Sequence, residues 1–255
     1  MNTIDSLYDK IDRAKELDFG QIFDSTLQLF KKVWLKGFLV VLLIVMSAMV
    51  IAFAFAAIGL ASTNTFVTDN GFNFNVQFDD YFKNVLFSVP QSILVSTITL
   101  ALLGAFYRIC QREVQGEQGV DDYFYFFRNG YFSKLLMLGI LYTGISTLAQ
   151  FLFVLPVIYV MIPLSYFSLF FAFNPDLSET ELVKASFKLG NKKWFISFGT
   201  LFVAALLGML GVLGCGIGLL FTISIAYLPL FFIYKEVVGF DETSEIDQIG
   251  TNTDY

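Results

Sequence analysis

Ser88, Ser92, Ser96 and Thr99 recur at a spacing of three or four residues, which puts four hydroxyls on one helix face with Gln91 and Pro90 beside them. Gly139, Thr143, Ser146 and Gln150 repeat the pattern further along the chain. Hydroxyls and amides hold neutral molecules by hydrogen bonds and bring no ionised group of their own near neutral pH. On successive membrane helices two such faces could line a neutral, water-accessible groove. The plainer reading is that the helices bond to each other, at about 0.6 kcal/mol per contact.

Other chemistry is excluded by what is missing. The chain has no His, which removes imidazole acid–base catalysis, haem ligation by His and His-containing metal sites. It has two Cys, Cys110 and Cys215, and no phosphate-binding loop, nucleophile elbow or dinucleotide fingerprint. Glu113, Glu117, Asp121 and Asp122 match no metal-loop spacing and read as solvated charge on a connector. The expectation is a chain that is not an enzyme, with no cofactor, no metal and no nucleic-acid partner.

The elements that position these residues follow from composition. Of 255 residues, 56% are hydrophobic and 15% charged, against about a quarter charged in a soluble domain. Gly37–Thr68, Asn84–Tyr107, Leu135–Pro175 and Trp194–Tyr234 contain no Asp, Glu, Lys or Arg over 32, 24, 41 and 41 residues. Charge-free runs longer than about 18 residues read as membrane spans. A helix of 41 residues would measure roughly 60 Å, twice the ~30 Å hydrocarbon core. Both long runs must therefore fold back, at Leu155–Pro156 and in the Gly-rich stretch Gly214–Gly218. The sequence predicts an all-α, polytopic membrane bundle of six spans, near 38–60, 84–107, 135–154, 157–174, 195–213 and 217–234. Residues 1–36 form cytoplasmic amphipathic helices, 37–235 the membrane domain and 236–255 an acidic tail. None of the spans carries an ionisable Asp, Glu, Lys or Arg, which weighs against proton coupling.

Basic residues set the orientation. If both termini are cytoplasmic, 15 of the 16 Lys and Arg lie on that side, Lys83 being the exception. The expected location is a bacterial inner membrane, with the first span an uncleaved anchor because 36 mostly polar residues precede it. Cys110 then falls at the inner end of span two and Cys215 in an outer turn, on opposite sides. A bond from Cys215 to a second chain is the alternative use of that thiol.

Ile4, Leu7, Tyr8 and Ile11 form one apolar stripe; Phe19, Ile22, Phe23, Thr26, Phe30 and Trp34 form a second after a break at Gly20. Such helices either lie flat at the interface or cap the bundle from inside. Ser178 and Glu181 fit a capping box ahead of a third amphipathic segment. At an offset of 160 residues, Lys32 meets Lys192 and Trp34 meets Trp194, the only two Trp. This suggests a repeated unit of interfacial helix, basic-aromatic anchor and hairpin. Lys31, Lys32, Trp34, Lys192, Lys193 and Trp194 are the expected interface anchors, Trp at headgroup depth and Lys on lipid phosphates. Ala48, Ala52 and Ala56 in span one, and Gly208, Gly211, Gly214 and Gly218 around the last turn, are spaced for close helix packing within the chain, a dimer face being the alternative.

Lys184-Ala185-Ser186-Phe187-Lys188-Leu189, Lys193-Trp194, the Gly-rich turn, and Tyr227-Leu228-Pro229 through Tyr234-Lys235-Glu236 carry a resemblance. Together with the Asp18-Phe19-Gly20 stretch, they resemble the membrane domain of bacterial glycerophosphoryl diester phosphodiesterases, also found in stand-alone six-helix proteins. The catalytic barrel of those enzymes would need about 250 further residues, so the resemblance implies a membrane architecture and no catalytic residue. The functional expectation is a non-catalytic accessory or scaffold subunit, with the lipid bilayer and other membrane proteins as partners. The alternative is a carrier or flippase for a neutral or lipid-like substrate.

Overall fold

The computed structural model describes residues 3–59, 67–68, 71–72, 78–117, 119–128, 130–152, 154–214 and 217–240. The fold is an all-α bundle in which six helical stretches are long and apolar enough to cross a membrane. In chain order the helices are α1 (Ile4–Asp12), α2 (Phe19–Ala57), α3 (Phe78–Gln115), α4 (Tyr125–Arg128), α5 (Phe132–Phe151), α6 (Val154–Ser165), α7 (Phe167–Phe173), α8 (Glu179–Lys192), α9 (Trp194–Met209), α10 (Ile217–Thr222) and α11 (Leu228–Val237). Two 3₁₀ segments, Leu210–Gly214 and Ile223–Tyr227, follow α9 and α10. In the loop between α2 and α3, Val67 pairs with Phe72 and Thr68 with Gly71 in antiparallel register. Residues 73–77 of that loop, Cys215 and the tail from 241 lie outside the described residues.

The first span is longer than its charge-free run. α2 is one unbroken helix of 39 residues, about 58 Å at 1.5 Å per residue, so the second N-terminal stripe does not lie flat as a separate helix. Asp18 caps it by accepting from the Gln21 N–H at 2.7 Å, and Gly20 falls inside the first turn rather than at a break. Its buried face is Ile22, Thr26, Leu29 and Val33, while Phe19 and Trp34 stay exposed. That face caps the bundle against α11. Higher up, a Cβ on Gly37 would fall on the Ser224 side chain, which explains the close crossing of α2 over span six.

α1 buries Leu7 and Ile11 completely and packs on α8. Lys188 pairs with Asp12 at 2.6 Å and lies 4.1 Å over the Tyr8 ring. At the N-terminus of α8, Glu181 accepts from the Ser178 N–H at 2.8 Å and from its hydroxyl at 2.7 Å, as the capping-box reading requires. These two bonds to the ionised form hold the Glu181 carboxyl below the ordinary carboxylate range.

The proposed hairpins are present, with one correction of detail. Pro156 sits in the first turn of α6 rather than in the connection, where its missing N–H costs no helical bond. Spans four and six are each interrupted. α6 runs through Pro163 to Ser165, and α7 restarts at Phe167 after one turn residue, Tyr166, whose backbone stays right-handed helical. Span six runs as α10, a 3₁₀ turn through Tyr227, then α11 with Pro229 in its first turn.

The units aligned at an offset of 160 differ in shape. Lys32 and Trp34 lie within α2, whereas the chain bends at Lys193 between α8 and α9. Gly190 and Asn191 stand where the first unit has Phe30 and Lys31, and both are poorer helix formers than Lys. Gly190 also packs flat on Pro163, its would-be Cβ 2.7 Å from the proline Cα.

Candidate functional site

The N-terminal helices, the connector after α3 and the segment around α8 gather at one end of the bundle. Lys36 bridges Glu113 at 3.1 Å and Asp121 at 3.3 Å, so two of the four clustered acids pair with α2. These partly exposed pairs contribute about 0.2–1 kcal/mol each. Asp122 accepts from the Phe124 N–H at 3.0 Å and faces Arg128 at 3.5 Å. Beside them, partial burial and the Asp121 carboxylate push the Tyr123 hydroxyl up to about 12. No group of three potential ligands for a metal occurs among the described residues.

The expected interface anchors divide. Lys31, Lys32 and Trp34 are exposed. Lys192, which is also exposed, and the half-buried Lys193 instead donate to the backbone carbonyls of Asp12 and Lys15 at 2.5 Å each. Lys192 caps the carbonyl end of α1, where a cation complements the helix dipole, and Lys193 holds the backbone three residues beyond it. Burial, reinforced by the adjacent Lys192, lowers the Lys193 ammonium from its ordinary value. Trp194 stacks on Phe198 at 5.0 Å and donates to the Tyr159 carbonyl at 3.1 Å.

The small-residue readings also divide. A Cβ on Gly211 would fall on the Gly218 carbonyl and the Thr222 hydroxyl, and one on Gly208 would lie 3.3 Å from the Ile223 Cα. The Gly-rich hairpin packs as expected, with Gly214 ending the 3₁₀ turn. Ala52 and Ala56 are exposed and Ala48 is half-buried, so the span-one alanines do not form the intramolecular face expected of them. Among the described residues the burial of α2 lies in its N-terminal and middle turns, where Val33, Gly37, Val40 and Val41 are buried.

Between spans two, three, four and six lies a cavity of about 390 Å³, within the roughly 300–1,000 Å³ range of small-molecule pockets. The residues with hydroxyl side chains that line it are Ser96, Thr99 and Tyr107 of α3, Tyr142 of α5, Ser165 and Ser168 on either side of the Tyr166 turn in span four, and Tyr227 at the 3₁₀ turn of span six. Apolar walls come from Leu100, Leu103, Leu164, Leu201 and Leu230. No Asp, Glu, Lys or Arg lines it.

The cavity is closed toward the basic end of the bundle. Leu103, Tyr107, Ser168 and Leu230 form a buried floor, whereas Met161 at the opposite rim is 39% exposed. Tyr107 lies eleven residues beyond Ser96 on α3, about 16 Å along the helix. The Tyr107 hydroxyl donates to the Tyr227 carbonyl at 3.3 Å. Beneath it Phe231 stacks on Tyr107, Phe170 meets Tyr234 edge-on at 5.1 Å, and Phe173 meets Phe240 at 4.9 Å. The Asn174 side-chain amide donates to the Tyr234 hydroxyl at 2.7 Å. An aromatic plug thus fills the bundle from the cavity floor to its basic end.

Of the residues expected to form a groove, Ser96 and Thr99 line this cavity. Ser96 also bonds to the buried Thr143 hydroxyl at 3.3 Å, the interhelical contact of the plainer reading. Gly139 packs directly on Thr97. Ser88 is turned back onto the Val85 carbonyl. Gln91, Ser92 and Gln150 are half-buried and do not line the cavity. The two polar faces therefore seal against each other along part of their length and open only where α6, α7 and the second 3₁₀ turn complete the walls. Tyr107, Tyr142, Ser165, Ser168 and Tyr227 were not singled out from sequence as lining residues. Ser165 follows Pro163 by two residues and Tyr227 precedes Pro229 by two, so prolines inside spans were the available signal.

No family model, curated protein or solved structure matches the chain.

Proposed function

We propose that the chain is a membrane-embedded carrier that takes up a neutral, lipid-like molecule in the central cavity. The observation that carries this reading is the one-sided cavity, partly open at its rim, plugged by aromatics at its floor and free of ionised side chains. Breaks in spans four and six border it. Transporters use interrupted spans both to present polar groups to a substrate and to bend. With the basic end cytoplasmic in a bacterial inner membrane, the cavity opens toward the outer half of the bilayer.

The test is transport of labelled neutral lipids in proteoliposomes. Accelerated transfer that stops when Leu103→Trp fills the cavity supports the carrier. Rates equal to those of protein-free vesicles for monoacylglycerol, diacylglycerol and long-chain alcohol probes would refute it.

An accessory role keeps one supporting observation. The outer half of α2 leaves Ala52 and Ala56 exposed, a small-residue face that a second helix could approach. Recovery of one stoichiometric partner in mild detergent, abolished by Ala52→Leu with Ala56→Leu, would support that reading, and purification as a lone monomer would count against it.

A further inference from the structure

Three hydroxyls in the cavity have no partner of their own. Ser165 bonds to the Met161 carbonyl, Ser96 to Thr143, Tyr107 to the Tyr227 carbonyl, and Ser168 to the Tyr107 hydroxyl. The hydroxyls of Thr99, Tyr142 and Tyr227 make no hydrogen bond to the described residues, and all three line the cavity. They come from three separate elements, α3, α5 and the 3₁₀ turn of span six, that wall the same cavity. Unsatisfied hydroxyls inside a membrane bundle are costly, and a ligand or ordered water has to meet them.

We propose that Thr99, Tyr142 and Tyr227 form a headgroup site that selects an uncharged amphiphile bearing hydroxyl or ester groups. This rests on the carrier reading and names its substrate class. Each hydroxyl can donate and accept, so the trio suits a group that does both, such as a glycerol or other alcohol. A carboxylate, phosphate or ammonium head would enter a cavity that no Asp, Glu, Lys or Arg lines, leaving its charge uncompensated. A bare hydrocarbon would leave the three hydroxyls unmet. The leucines at 100, 103, 164, 201 and 230 supply the surface for the acyl chain.

The experiment uses the full chain in phosphatidylcholine nanodiscs and a monoacylglycerol carrying a photoreactive diazirine on its chain, with adducts mapped by peptide mass spectrometry. Adducts are expected on α3, α5 and the segment around Tyr227. Unlabelled monooleoylglycerol should compete, whereas oleate and hexadecane at equal concentration should not. This arm needs no variant. Combining Thr99→Val, Tyr142→Phe and Tyr227→Phe should reduce cavity labelling by about tenfold or more, with the melting temperature checked on the same sample. Competition by oleate or hexadecane equal to that of monooleoylglycerol would overturn the proposal, as would undiminished labelling of the folded triple variant. Adducts spread over the lipid-facing helices alone would also overturn it. Labelling that behaves as expected in a protein that moves no lipid would sink the carrier and leave the headgroup site standing. Transport that persists without selective labelling would do the reverse.

Discussion

The hydroxyl of Tyr107 in span two donates to the backbone carbonyl of Tyr227 in span six across 3.3 Å, and this one bond joins the cavity floor to the 3₁₀ turn that interrupts the last span. Tyr227 is the N-cap of α11, so its carbonyl already accepts the first helical bond of that element, and Tyr107 adds a second donor from a neighbouring helix. Tyr107 is both a floor residue and a strut.

Tyr107→Phe should keep the ring stack on Phe231 and lose the bond. The Tyr227 carbonyl keeps its helical partner, so the lost bond costs about 0.5–1.5 kcal/mol. The expected result is a lower melting temperature in detergent and more labelling of residues near Tyr227. An unchanged melting temperature would mean that the bond contributes nothing to stability.

Gly139→Ala should be among the more damaging small changes. Its Cβ would fall on the Thr97 hydroxyl and lie 3.0 Å from the Ile93 carbonyl, so α3 and α5 must separate. Overpacking of this kind costs about 1–3 kcal/mol. Gly144→Ala, one turn further on the same helix with nothing within 4 Å, is the control and should be neutral or slightly stabilising. Equal melting temperatures for the two variants would show that the close crossing at Gly139 is not constraining.

Acid should loosen the start of α8. Glu181 is ionised in its capping role, and its carboxyl is held down first by the Ser178 hydroxyl and then by the Ser178 N–H. Because the folded value is depressed, the stabilisation is present above the unfolded carboxylate value and disappears as pH falls through the folded one. Amide exchange at residues 178–182 should rise below about pH 4. Glu181→Gln keeps a reach-back acceptor and should flatten that dependence.

Thiol labelling reads the orientation, with one change forced by packing. Cys110 is fully buried, so it should stay silent to a membrane-impermeant maleimide in intact and in lysed cells, reacting only after denaturation in SDS. Exposed reporters are needed. In a chain with Cys110→Ala and Cys215→Ala, Glu117→Cys at the basic end should label only after lysis, and Leu152→Cys at the opposite end in intact spheroplasts. The reverse pattern would invert the topology that 15 of 16 basic residues imply.

Detaching α1 should be readable as local unfolding. Leu7 and Ile11 are its fully buried residues, Lys188 and Lys192 hold Asp12 in its last turn, and Lys193 holds Lys15 just beyond it. Leu7→Ala removes one of its two apolar anchors, at about 2–5 kcal/mol for a buried Leu. Rapid proteolytic clipping between residues 13 and 18, with the membrane bundle intact, is the expected outcome.

The six-span bundle was legible in the chain because hydrocarbon forbids unpaired charge and exposed backbone, and so imposes a long charge-free signature on every span. Local rules also carried the hairpin turns, the Ser178–Glu181 cap and the close packing of Gly208, Gly211 and Gly218, since caps and turns depend on neighbours in sequence. What tertiary structure alone decided is where partners lie across the bundle. Helical spacing placed Ser96 and Thr99 on one face, yet only the position of α5 determines that Ser96 meets Thr143 while Thr99 looks into a cavity. Lys192 and Lys193 carry the sequence signature of lipid anchors, but the end of α1 and the backbone just beyond it offer carbonyls from 180 and 178 residues away. The alanines of span one have the spacing of a packing face, yet Ala52 and Ala56 are exposed in the folded bundle. Periodicity tells which residues share a side of a helix. Which side meets a neighbour depends on packing between elements distant in sequence, and the cavity exists only where that packing leaves a gap.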